Sequence, residues 1–264
     1  MSRPVRVGVQ LQPQHASEYG LIRDAVRRAE DAGVDIVFNW DHFFPLTGDP
    51  DGAHFECWTM LGAFAEQTER VEIGALVTGG GYRNPDLLAD MARTVDHTSG
   101  GRLILGIGGG WFERDYAEYG YEFGTPGTRL DLLKSSLARI DARMKKLNPQ
   151  PVRDIPMLIG GGGERKTLRL VAEHADIWHS FGDLEVFTRK SGILGGHCAA
   201  AGTDPGRIER SVSWPGRSLA PAFLEAGATL FTVGVSGPDY DLSRVVEAIN
   251  WRDEINPEPI SGIA

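Results

Sequence analysis

The sequence predicts an α/β protein folded as a closed (β/α)8 barrel, the TIM-barrel architecture. Three observations carry that reading. Eight short runs rich in Val, Ile and Leu lack polar alternation, which suits parallel strands covered on both faces. Segments with helical period separate them, and strand-then-helix repeated about eight times has two common solutions, an open doubly wound sheet or a closed barrel. A chain of 264 residues is close to the roughly 250 that one such barrel takes, which favours the closed form. No Pro/Ser-rich linker or charge run marks a boundary, so residues 1–264 read as one barrel domain.

In chain order, a strand over Arg6–Gln12 leads into a helix with Leu21, Ile22, Ala25, Val26 and Ala29 on one face and Arg23, Asp24, Arg27 and Arg28 opposite. A strand over Ile36–Asp41 precedes a helix over Trp58–Gln67. The third strand, Val71–Thr78, precedes a helix over Pro85–Thr98 that Pro85 starts well. The fourth, Arg102–Gly109, precedes a long helix in which Leu130, Leu133, Leu137, Ile140 and Met144 repeat at helical spacing. Strands over Ile155–Gly161, Ile177–Gly182, Arg210–Trp214 and Thr229–Val235 follow. Helices lie between and after them: one with a Leu168, Val171, Ala172, Ala175 stripe, one over Leu184–Ala201 and one over Tyr240–Trp251.

Charge excludes some partners. Lys plus Arg number 27 and Asp plus Glu 36, a net charge of −9, the wrong sign for a general nucleic-acid or anionic-membrane binder. No run approaches 18 apolar residues, and the N-terminus lacks a signal-peptide core, so a cytoplasmic protein is expected. Cys57 and Cys198 fit neither a CxxC nor a metal spacing and read as buried thiols in a reduced compartment.

Glycine is the unusual feature, 34 residues against an average near 7% of a chain. Three runs, Gly79–Gly81, Gly108–Gly110 and Gly160–Gly163, follow the third, fourth and fifth strands. Those strand ends are the rim that carries active sites in such barrels. The runs are therefore either tight strand-to-helix turns or, together, a floor where a ligand approaches the backbone. None completes a dinucleotide fingerprint or a P-loop: the sixth position from Gly106 is Trp111, that from Gly160 is Arg165, and Lys166-Thr167 follows Arg165. Generic phosphate binding at the helix start after Gly163, helped by Arg165 and Lys166, stays open beside a solvated first turn.

Trp40-Asp41-His42-Phe43 sits on the same rim, and His42 is placed to handle a proton, bond a ligand or bind a metal, or simply to pack under a loop. His54 and Glu56 are near in sequence, but no barrel-hydrolase His-x-His pair and no zinc spacing occurs. Arg83 reads equally as an anion contact or a surface residue. His97 lies in a helix-to-strand turn at the opposite face and reads as structural. Gln10, Gln12 and His15 are placed to line a pocket, while His174, His179 and His197 take no assignment.

These residues together resemble the luciferase-like monooxygenase superfamily, and more closely its deazaflavin (coenzyme F420)-dependent oxidoreductase branch. The resemblance rests on Trp40-Asp41-His42, Ile73–Thr78 with Tyr82-Arg83-Asn84-Pro85, Asp96–Arg102 running into Leu105–Trp111, and Leu158–Gly163 with Ala175–Trp178, in that order. It implies a flavin or deazaflavin across the C-terminal rim, its ring against Leu76, Val77 and Thr78, with a cis Leu76–Val77 peptide behind it. It also implies ring contacts from Asp41 and His42, backbone contacts from Gly109 and Gly110, and a phosphate cradle at Gly161, Gly162 and Gly163. Counter-charge would come from Arg83, Arg114, Arg165 and Lys166. Hydride transfer between coenzyme F420 and a small organic substrate follows, with His42 as the catalytic proton-handling residue and Asp41 orienting its ring. Alternatives are an FMN-dependent monooxygenase, a non-catalytic cofactor-binding protein and, apart from the family, a metal-dependent hydrolase or isomerase. A homodimer is the family expectation.

Two departures stand out. Sugar-phosphate dehydrogenases of the family carry an acid/base Glu where this chain has Trp111, which argues against their substrate. Only the short stretch Met144–Pro156 joins the long helix to the fifth strand, where relatives insert more, implying an open pocket or one completed by a partner subunit. Phe43, Phe44, Trp111 and Phe112 point to a flat or hydrophobic substrate, or equally to a grip on the cofactor.

Overall fold

In the computed structural model, which describes residues 3–256, parallel strands and helices alternate around a closed barrel. The strands are β1 (Arg6–Gln12), β2 (Ile36–Asn39), β3 (Glu72–Ala75), β4 (Thr78–Gly79), β5 (Leu103–Gly108), β6 (Met157–Gly160), β7 (Ile177–Ser180), β8 (Glu209–Ser213) and β9 (Ala228–Ser236). β1 pairs with β9, and β3 reaches β5 through Ile73–Leu103 and Gly74–Ile104, which closes the sheet. β3 and β4 are the two halves of the expected third strand. The ladder to β5 skips Leu76 and Val77, whose peptide bond is cis. Counted as one, they give the eight strands that the sequence predicts.

The helices are α1 (Tyr19–Ala32), α2 (Cys57–Gln67), α3 (Pro85–Thr98), α4 (Glu113–Tyr119), α5 (Pro126–Met144), α6 (Thr167–His174), α7 (Leu184–Ala201), α8 (Ala220–Glu225) and α9 (Ser243–Ile255). The predicted stripes face inward: α1 buries Ile22, Ala25, Val26 and Ala29, and α5 buries Leu133, Leu137 and Ile140. α4 and α8 go beyond the sequence reading, because seven and six residues are too few to display an apolar period. α9 starts three residues later than predicted. Tyr240 takes a positive φ of 45° and buries its ring, donating its hydroxyl to the Gln12 carbonyl at 2.9 Å.

Two apolar layers hold the barrel. Inside it, Ile36, Phe38, Ile104, Leu158, Ile177 and Leu230 form a plug with Leu76. Each such side chain contributes about 1.5–3 kcal/mol by leaving water. A larger layer fills the space between strands and helices and takes in both cysteines, which are free thiols. At the N-terminal end, Arg6 bridges Glu72 and Glu209, both at 2.5 Å. His97 lies on that side too, its Nε2 2.7 Å from the Gln150 carbonyl, where the sequence places a structural histidine. The plug and these ion pairs close one end and leave the C-terminal mouth for a site.

Candidate active site

The C-terminal strand ends surround a cavity of about 650 Å³. Leu76 and Val77 line its floor, and Gln10 Nε2 donates to the Leu76 carbonyl at 2.6 Å. Glycine makes room for that floor. A Cβ on Gly108 would lie 2.8 Å from Val77 Cγ2, and one on Gly160 would lie 3.0 Å from Val77 Cγ1. Gly110, at φ +75°, packs where a side chain would run into the Tyr116 hydroxyl. Gly79, Gly108–Gly110 and Gly160–Gly161 line the cavity, whereas Gly162 and Gly163 lie beyond its wall. The Gly162 and Gly163 N–H groups have no acceptor among the described residues, and the Lys190 ammonium lies against Gly162.

His42 enters the cavity from the end of β2 with a partner that the sequence reading missed. Its Nδ1 lies 2.7 Å from Asp115 Oδ2. The Tyr82 hydroxyl donates to the same oxygen at 2.7 Å, and the Phe43 N–H donates to Oδ1 at 3.0 Å. Asp115 is fully buried on α4, so its carboxylate is an acceptor with three donors, and it selects the Nδ1–H tautomer of His42. Nε2 is then the ring nitrogen left for a ligand. Burial and Asp115 push the Tyr82 phenol far above its ordinary value, which keeps it a donor. Trp40, Trp111 and Phe112 meet the imidazole edge-on, with ring centres 5.6–5.8 Å away.

Asp41 does not orient His42. Its buried carboxylate accepts two hydrogen bonds from Arg83, at 2.5 and 3.1 Å, and Arg83 also bridges to Glu56. Burial pushes the Asp41 carboxyl up, with Arg83 pulling against it. Burial would also raise Glu56, but the Thr59 N–H and hydroxyl together with Arg83 hold it below the usual carboxylate range. Arg83 is thus enclosed by two carboxylates and does not line the cavity.

The other expected cations are placed differently as well. Arg114 stacks on Phe44 at 3.9 Å, donates to the Pro50 carbonyl at 2.5 Å and pairs with Asp51, fastening the loop before α2 to α4. Arg165 is exposed outside the cavity, and Lys166 pairs with Asp131 at 2.7 Å. Arg129 is the one lysine or arginine lining the cavity among the described residues. No motif singled it out, because its neighbours in sequence carry no glycine run.

Thr78 faces away, accepting from the Trp58 indole at 2.9 Å. Of the four aromatic residues expected at the pocket only Trp111 lines it: Phe43 stacks on Tyr119 with ring centres 4.1 Å apart, Phe44 lies under Arg114, and Phe112 packs on His42. Gln10 and Gln12 line the cavity, while His15 Nε2 sits 2.6 Å from the Thr47 carbonyl outside it. His54 accepts from the Trp40 indole at 3.0 Å, and Glu56 is bound to Arg83. No group of three potential metal ligands occurs among the described residues.

A second histidine, His179 on β7, also lines the cavity. Ser211 Oγ lies 2.9 Å from its Nδ1, and burial lowers its pKa to about 4. Burial and the nearby His42 likewise lower His54 to about 4. The unfolded chain protonates both near pH 6.5, whereas the folded chain resists until about pH 4, so stability falls as pH drops through that window. His179 alone should remove about 2 kcal/mol between pH 7 and pH 5. Urea midpoints at the two pH values should show that loss, and His179→Gln should reduce it; an equal slope in the variant refutes the assignment.

Residues 4–215 match the luciferase-like monooxygenase family. An F420-dependent glucose-6-phosphate dehydrogenase of Amycolatopsis mediterranei is 30% identical over 178 residues, 60% of this chain and 52% of that protein. The chain spans about half the length of the curated relatives it matches. An F420-dependent secondary alcohol dehydrogenase, solved with an F420–acetone adduct, superposes with a TM-score of 0.79 at 17% identity, covering 91% of this chain and 96% of that one. The F420-dependent tetrahydromethanopterin reductase of Methanopyrus kandleri gives 0.74 at 15% identity, over 97% and 99% of the two chains. At these identities the structural likeness establishes the luciferase-like barrel fold.

Proposed function

Because the chain belongs to the luciferase-like monooxygenase family, we propose that it is an oxidoreductase transferring a hydride between coenzyme F420 and a small organic substrate. The observation that carries this reading is the His42–Asp115 pair at the edge of a glycine-floored cavity. Curated relatives named for F420 dependence favour the deazaflavin over FMN.

The residues fit such a cofactor. Leu76 and Val77 offer an apolar rest for a flat ring, and Gly108 and Gly160 leave room for the Val77 side chain that forms it. Asp41 and His42 line the cavity where they would meet the ring's edge, and the Gly109 and Gly110 backbone would lie beside it. The free amides of Gly162 and Gly163, with Lys190, suit a phosphate, whereas the Gly161 N–H is taken by the His179 carbonyl at 3.1 Å; in this role Lys190 replaces Arg83 and Arg114. When bound, a deazaflavin supplies or accepts the hydride, and the protein contributes binding, orientation and proton handling. In the reducing direction the His42 imidazolium would give its Nε2 proton to the substrate oxygen, and in the oxidising direction the neutral ring would take one at Nε2. Asp115 accepts from Nδ1–H in both forms, which keeps Nε2 the atom that gains or loses the proton.

Fluorescence titration with coenzyme F420 and with FMN tests the cofactor. Micromolar or tighter binding of F420 is expected; tight FMN binding without F420 binding overturns the choice and points to a monooxygenase. F420 binding with no turnover on a substrate panel, unaltered by His42→Ala, would instead mark a cofactor-binding protein.

A further inference from the structure

Charge is distributed unevenly around the cavity. On the α5 side stands Arg129, whose guanidinium already donates to the carbonyls of Gly110, Phe123 and Gly124 at 3.1, 3.0 and 3.3 Å. Across from it, the ends of β7, β8, β9 and β1 present His179, Ser213, Thr232 and Gln12, which hydrogen-bond but carry no charge. His179 is only 2% exposed. Its Nδ1 is taken by Ser211, and Nε2 has no partner among the described residues. The Ser211 hydroxyl can turn to donate or accept, so Nε2 can accept from a hydroxyl or donate to a carbonyl. At the mouth, Trp111 and Phe181 are 63% and 58% exposed although both line the cavity, and Phe181 meets the His179 ring edge-on with centres 4.9 Å apart. Two large exposed rings flanking one opening differ from apolar residues scattered singly over a surface.

Resting on the reading of this cavity as the site of an F420-linked oxidoreductase, we propose that its β7–β9 side binds an uncharged, flat substrate bearing a carbonyl or hydroxyl group, and rejects carboxylated or phosphorylated ones. A neutral carbonyl loses little on leaving water here, because His179 Nε2 replaces the hydrogen bond and the aromatic rings cover its apolar body. An anion would shed its hydration without meeting a cation, which is far more costly. Burial keeps His179 uncharged at neutral pH, so it supplies no counter-charge. Arg83 is enclosed by Asp41 and Glu56 and adds no positive field on this side.

Acetophenone and 4-acetylbenzoate present the same flat ketone with and without a carboxylate, and equilibrium dialysis against F420-loaded protein measures each. Loading is checked first by F420 fluorescence, and failure to load overturns the cofactor reading whatever the ketones do. In loaded protein, acetophenone should bind at least about tenfold more tightly than 4-acetylbenzoate. Phe181→Lys, at an exposed position that does not support the fold, should narrow that ratio by about tenfold. His179→Leu should weaken acetophenone by a similar factor. Equal or tighter binding of 4-acetylbenzoate by the loaded wild type, or no binding of acetophenone to it, overturns the substrate class.

Discussion

Asp115→Asn should lower kcat by roughly a hundred- to ten-thousand-fold, the range that a positioned acid–base group contributes. Three donors converge on the Asp115 carboxylate: His42 Nδ1, the Tyr82 hydroxyl and the Phe43 N–H. Asparagine keeps the shape but offers an oxygen on one side only. If its oxygen stays with Phe43, its NH2 faces His42 and forces Nδ1 to accept, which places the remaining proton on Nε2. The imidazole then sits in the same place in the wrong tautomer. His42→Ala removes the proposed proton-handling group itself, so the double variant should be no slower than His42→Ala alone, because residues that act as a unit are not additive. Tyr82→Phe removes one donor of three and should cost less than tenfold. Affinity for F420, read by fluorescence, should change little in Asp115→Asn, since Asp115 is buried behind His42 and does not line the cavity. Additive losses in the double variant, or a loss confined to cofactor affinity, would refute the positioning role.

The barrel was readable because parallel strands covered on both faces leave unbroken apolar runs, and because α1, α5 and α6 display apolar stripes. His42 was readable from its place after β2. Its partner was not. Asp115 lies 73 positions away on a helix whose seven residues bury only Asp115 and Tyr116, so no period announces it. Asp41, adjacent in sequence, was the natural choice, but successive residues at a strand end diverge, and Asp41 turns to Arg83 instead. The cationic residues show the same limit. Charge and position on the rim mark Arg83, Arg114 and Arg165 alike, while Lys190 comes from a helix whose sequence gives no hint that its ammonium reaches Gly162. A sequence shows how many charges exist; only packing shows which are already answered.

Arg83 makes that point testable through stability. Arg83→Met should destabilise the fold by about 3–5 kcal/mol, the cost of stranding one member of a buried ion pair. The loss belongs to Asp41: its side chain is fully buried, whereas that of Glu56 is 39% exposed and water can replace its partner. Without the guanidinium, burial and the nearby Glu56 charge drive the Asp41 carboxyl further upward. The folded variant then holds a proton that the unfolded chain releases near pH 4, so its deficit grows as pH rises above that point and shrinks on acidification. Asp41→Asn in the same chain removes the charge and should restore much of the stability at neutral pH. Urea denaturation at pH 5 and pH 8 of the single and double variants separates these effects. The alternative suggested by sequence, Arg83 as a free cation for an anionic ligand, makes the opposite forecast. Arg83→Met would keep its stability at both pH values and lose affinity for F420 instead, and that pattern would overturn the structural role.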